Sequence, residues 1–99
     1  MRPAQAAPLP EGIVVFVKRD CPTCQLVAPV LERLATRAVL TVFSQDDPEF
    51  PRGVEVRDDT SLRMSWHHDV ETVPTLLRVE NGLEAQRAVG WQRGEWAKF

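Results

Sequence analysis

The chain has only two cysteines, no apolar run longer than Ile13–Val17 and no excess of basic charge. Each shortage excludes something. A membrane span needs about 20 consecutive apolar residues, so none is expected here. Twelve Lys and Arg stand against 14 Asp and Glu, a net charge of −2, which argues against a general nucleic-acid binder. No apolar stretch follows Met1 as a secretory leader would require, so a cytoplasmic location is expected. Two cysteines cannot build the several bridges of a small secreted domain. Internal repeats and low-complexity tracts are also absent.

What is present fits one domain. Ninety-nine residues with 43% hydrophobic and 26% charged residues make an ordinary globular composition. A chain of this length buries roughly 65% of its unfolded surface, enough for a single core.

Residues 1–12 (MRPAQAAPLPEG) carry three prolines and no periodicity, and read as a flexible arm before a domain spanning 13–99. Residues 13–17 (IVVFV) are β-branched and aromatic, which suits a strand buried on both faces. Pro22 then stands where a helix can begin, because the amide it lacks is unpaired there anyway. Leu26, Val27, Val30, Leu31 and Leu34 recur at helical spacing, predicting an amphipathic helix to about Thr36 with a kink at Pro29. Residues 38–43 (AVLTVF) read as a second strand.

Residues 44–57 are polar, hold two prolines and a glycine, and read mostly as loop, with a short extra strand at Val54 and Val56 as an alternative. Asp58, Asp59, Thr60 or Ser61 can cap a helix through Leu62, Met64 and Trp66 to about His68. Residues 75–80 and 84–89 flank Asn81-Gly82, a strong hairpin signal. A last helix starts at Arg93. The order β-α-β-α-β-β-α predicts an α/β fold: a mixed four-stranded sheet with helices on both faces. Its first two strands are parallel through a right-handed crossover.

Cys21 and Cys24 form a C-x-x-C directly after a buried strand and at the start of a helix. Thiolate is the nucleophilic form of cysteine. A helix N-terminus, with unpaired N–H groups and the positive end of the dipole, stabilises an anion. Lys18 and Arg19 add positive charge nearby, and Asp20 subtracts some. Cys21 is therefore the expected nucleophile. Cys24, one turn later and more buried, is the expected resolving thiol.

Other chemistries fit less well. A structural zinc needs four ligands, and the only further candidates, His67 and His68, are adjacent and distant in sequence. They read as a solvated helix end, so no metal is expected. Trp66 is expected against the sheet, with Trp91 and Trp96 more open. Asp46, Asp47 and Glu49 read as a solvated loop, since a hard-cation site needs more oxygen ligands in fixed geometry.

These segments resemble the thioredoxin family. The resemblance rests on VVFVKRDCPTCQLVAPVLERLA (residues 14–35, with Pro29 five residues after Cys24), on ETVPTLLRVENG (residues 71–82), and on Gly90. It covers about residues 13–99. It implies a thioredoxin-like fold and a cis Pro74 packed against the cysteine pair. It implies substrate contacts from Pro22, Thr23, Val73 and Pro74. It also implies a thiol–disulfide oxidoreductase acting on protein or small-molecule disulfides. Such an enzyme is fed by a reductase or dithiol and uses no bound organic cofactor. The other function considered is a non-catalytic, partner-binding or redox-sensing module.

The sequence departs from the family in places. Asp20-Cys21-Pro22-Thr23-Cys24 replaces the usual Trp-Cys-Gly-Pro-Cys. Val15 occupies the position of the buried aspartate that serves the second cysteine. Only about 12 residues precede Ile13, closer to a glutaredoxin-sized core, but no glutathione-binding signature accompanies it. Residues 44–57 are longer than the usual connection. The short last helix, ending at Phe99, points to a further domain or subunit that completes it.

Overall fold

The computed structural model describes residues 8–99, so most of the expected arm, residues 1–7, lies outside the described residues. At the end of that arm, Leu9 is buried beside Val14 and Phe16. The Glu11 carboxylate accepts the N–H groups of Asn81 and Gly82 at 2.8 and 3.1 Å.

Five strands and three helices follow in order: β1 (Gly12–Val17), α1 (Pro22–Ala35), β2 (Leu40–Ser44), β3 (Val56–Asp58), α2 (Arg63–His67), β4 (Thr75–Glu80), β5 (Leu83–Val89) and α3 (Arg93–Trp96). The sheet order is β3-β2-β1-β4-β5. β1 is parallel to β2 and antiparallel to β4, β2 is parallel to β3, and β4–β5 is the antiparallel hairpin. The α/β class and mixed sheet are as expected, but the sheet has five strands where four were predicted. The fifth is β3, on the edge, reached through the alternative considered around Val56.

β1 is central because it has a core on each side. Side chains alternate across a strand. Ile13, Val15 and Val17 join Cys24, Val27 and Leu31 of α1 with Val42, Leu76 and Trp96. Val14 and Phe16 face the other way, with Leu9, Phe43, Met64, Val70, Leu77 and Val79. Phe16 stacks on Phe43, ring centroids 5.1 Å apart. Each fully buried side chain of this kind contributes roughly 1.5–3 kcal/mol. Gly12 opens the strand at φ 99°, where a Cβ would stand 2.7 Å from the Val39 carbonyl oxygen. The hairpin turns on Asn81 (φ 57°) and Gly82 (φ 78°), both left-handed as a tight two-residue turn requires.

Two tryptophans exchange their expected places. Trp66 is half exposed, because α2 is one short helix that presents Met64 and Ser65 inward instead. Trp96 is buried, edge-on to Trp91, and its indole N–H donates to the Gly90 carbonyl at 2.9 Å. α3 is shorter than expected, ending at Trp96.

Candidate functional site

The site forms where β1 hands the chain to α1. Lys18-Arg19-Asp20 make a turn, and Cys21 is the N-cap of α1 in an extended conformation (φ −133°, ψ 113°), with Pro22 in the first helical turn. The helix runs unbroken through Pro29 to Ala35. Its cap is a sulfur atom: the Cys24 N–H points to Cys21 Sγ at 3.4 Å. A polar N-cap normally offers oxygen to this amide. Here the group that receives the N–H is also the nucleophile candidate.

Both cysteines are free thiols, Cys21 half-buried and Cys24 fully buried. Cys21 Sγ lies 3.9 Å from the carbonyl oxygen of Val73. The Val73–Pro74 bond is cis, as is Phe50–Pro51, and Pro74 is buried at the start of β4. The two segments that carry the sequence motifs, 21–24 and 73–74, thus meet. Pro22 and Thr23 stand exposed beside them.

Cys24 sits in the core with Val15 and Val27. Burial is the chief cause that pushes its thiol from 9.0 up to about 12, with the nearby Cys21 and the charge of Asp46 adding to it. The Lys18 N–H, 3.4 Å from Cys24 Sγ, works in the opposite direction. Among the causes acting on Cys24 there is a carboxylate from the β2–β3 loop, but none from β1, where Val15 stands.

That loop was the part missed in the sequence. Asp46 accepts the Arg19 N–H at 2.7 Å and the Asp20 N–H at 2.9 Å. Asp47 pairs with the Arg19 guanidinium at 3.0 Å. The acidic cluster lies on a loop with Asp46 and Glu49 exposed, as expected, but Asp46 and Asp47 are also bound to the turn before Cys21. The only signal for it was the unusual length of residues 44–57. His67 ends α2 and His68 follows as its C-cap, as expected, but the two stack edge to face at 4.7 Å and are half-buried. No cluster of three or more metal-ligating side chains occurs among the described residues. No helix among them is long and apolar enough to cross a membrane.

A mixed sheet of this order, with a C-x-x-C capping the helix after its central strand, defines a thioredoxin-like domain. Comparison with known proteins agrees. The chain is 30% identical over 79 residues to thioredoxin of Chlamydia muridarum, covering 79% of this chain and 67% of that protein. It is 35% identical over 78 residues to protein TrbB of Escherichia coli, of whose length it spans 43%. The fold superposes on thioredoxin NaTrxh from Nicotiana alata with a TM-score of 0.63, at 22% identity, covering 91% of this chain and 70% of the other. StoA from Bacillus subtilis gives a TM-score of 0.68 at 16% identity, covering 89% and 80%. No family model matches the chain. The chain belongs to the thioredoxin family, whose fold carries thiol–disulfide oxidoreductases.

Proposed function

We propose that this domain reduces disulfides, with Cys21 as nucleophile and Cys24 as resolving thiol. The observation that carries the reading is the juxtaposition at Cys21 Sγ. It caps a helix, receives the Cys24 N–H, and faces the Val73 carbonyl next to Pro74. Cys21 thiolate attacks one sulfur of the substrate disulfide. A mixed disulfide forms and the first substrate sulfur leaves as a thiolate that takes up a proton. Cys24 then gives up its proton and attacks Cys21 Sγ. The Cys21–Cys24 bond forms, the mixed disulfide breaks, and the second substrate thiol is released. Two electrons pass from the dithiol to the substrate, and an external dithiol or reductase restores them. No bound organic cofactor is needed.

Pro22, Thr23, Val73 and Pro74 border the sulfur and form the substrate contact. A protein disulfide fits this open edge, and a small disulfide can reach it as well. A reducing role fits a cytoplasmic setting, where thiols are kept reduced.

One observation favours the second reading, a redox-sensing or partner-binding module. A Cys24 thiol pushed up to about 12 resolves slowly unless something helps it ionise. The test is turnover of a protein disulfide with a dithiol as reductant. Repeated turnover, with Cys24→Ser accumulating mixed disulfides through Cys21, is expected. A single slow oxidation without turnover establishes the sensor. Trapping by Cys21→Ser instead reverses the two roles.

A further inference from the structure

We infer that Asp46 is a positioning residue for the resolving step, holding the Lys18–Asp20 turn so that the Lys18 N–H meets the sulfur of Cys24. The inference rests on the dithiol reading above and adds a residue outside the two motifs.

Three successive amides of one turn serve two acceptors. The Lys18 N–H is 3.4 Å from Cys24 Sγ. The next two, of Arg19 and Asp20, are bound by the two oxygens of Asp46 at 2.7 and 2.9 Å. A carboxylate with one oxygen on each of two adjacent N–H groups fixes the direction of the peptide planes, and its charge shortens both bonds. The Lys18 N–H shares its peptide plane with the Val17 carbonyl, which accepts the Gln45 N–H at 2.9 Å; Gln45 thus holds one end of that peptide and its neighbour Asp46 holds the two planes that follow. On the other side, Gln25 Nε2 donates to the Arg19 carbonyl at 2.7 Å. Asp46 is 27 residues from Arg19, so the brace is tertiary and comes from the long β2–β3 loop.

The consequence concerns Cys24 more than Cys21. Cys21 is carried by α1 itself, through the Gln25 N–H on its carbonyl at 3.0 Å. Cys24 must lose its proton inside the core, with Val15 beneath it. The Lys18 N–H favours the resulting anion. Asp46 acts twice with opposite sign: its charge disfavours that anion, while its clamp supplies the amide that favours it. The amide touches the sulfur directly at 3.4 Å, whereas the Asp46 carboxylate is exposed and its charge is screened by water. Losing Asp46 therefore makes the attack of Cys24 harder.

The test is a single-turnover reaction of the reduced protein with an excess-free aromatic disulfide, followed by stopped-flow absorbance. The first coloured thiolate is released when Cys21 forms the mixed disulfide. The second is released when Cys24 attacks Cys21 and the internal disulfide forms. In Asp46→Ala the second release is expected to slow roughly tenfold, the loss of one hydrogen bond to a charged atom, with the first release within about twofold. Asp46→Asn, which keeps one acceptor and perturbs folding least, falls between. Asp47→Asn, which frees only the Arg19 side chain, leaves both steps unchanged. An unchanged second release in both Asp46 variants overturns the inference, as does equal slowing of both steps. So does equal slowing by Asp47→Asn. Absence of a second release in the wild type sinks the dithiol reading as well, and repeated turnover of a protein disulfide tests that reading separately.

Discussion

Two helices start just after strands of the sheet, α1 after central β1 and α2 after edge β3, and their first turns are held by groups of opposite character. The first turn of α2 rests on Asp59, a buried carboxylate that accepts the N–H groups of Met64 and Ser65 at 2.8 and 3.0 Å and the Ser65 hydroxyl at 2.6 Å. The first turn of α1 rests on Cys21, whose sulfur receives one N–H at 3.4 Å. Asp59 is saturated with partners and fully buried; Cys21 is half-buried and weakly engaged. The same unpaired amides are satisfied in one place for stability. In the other they are left available to the Cys21 thiolate on which the proposed mechanism depends.

The contrast can be broken by measurement. The largest effect is expected at the α1 end. With its thiol pushed up to about 12 from 9.0, Cys24 should alkylate roughly a thousandfold more slowly than an unfolded thiol at neutral pH. Mass-resolved labelling against a denatured control reads this directly, and equal rates would remove the division of labour. The same shift has a sign for stability. The folded state keeps a proton that the unfolded thiol releases above 9.0, so folding stability should fall as pH rises from about 9 toward about 12.

At the α2 end the expected effect is thermodynamic. Asp59→Ala leaves two buried amides and a hydroxyl without their acceptor and should cost about 3 kcal/mol in urea denaturation. Activity per folded molecule should be retained. Cys21→Ser should show the reverse pattern, with turnover abolished and stability changed by less than about 1 kcal/mol. If Cys21→Ser destabilises as much as Asp59→Ala, the two caps are alike after all. The smallest effect belongs to Glu11, whose carboxylate spans the exposed hairpin turn. Glu11→Ala should cost less than about 1 kcal/mol, read from the same denaturation curves.

Local patterns were the legible part of this molecule. The run Ile13–Val17 declared a central strand, the cysteines and Pro22 marked the start of α1, and Asn81-Gly82 placed the hairpin turn. Each signal lies within a few residues of what it determines. β3 was harder, because three residues, Val56–Asp58, hold too little apolar character to stand out as an edge strand. Asp59 could be named only as one of four capping candidates, since its partners follow five and six residues later across a left-handed Leu62. Trp66 and Trp96 were exchanged because helical spacing gives no account of which short helix the sheet has room to cover. Asp46 was invisible for a different reason. Its partners are 26 and 27 residues away, and an exposed carboxylate carries no local mark of what it will bind.

The central position of β1 also sets the order in which the molecule can be assembled. The β4–β5 hairpin and the β1-α1-β2 unit close over short stretches of chain, whereas β1 meets β4 only across most of the sequence. Val73 and Pro74 stand at the β4 end of that last seam, and Cys21 at the β1 end. Cys24 leaves the solvent as α1 packs on β1 and β2, whereas Cys21 meets the Val73 carbonyl only when the seam closes. Loss of Cys24 labelling during refolding therefore times the docking of α1 on β1 and β2, ahead of the long-range pairing that completes the site.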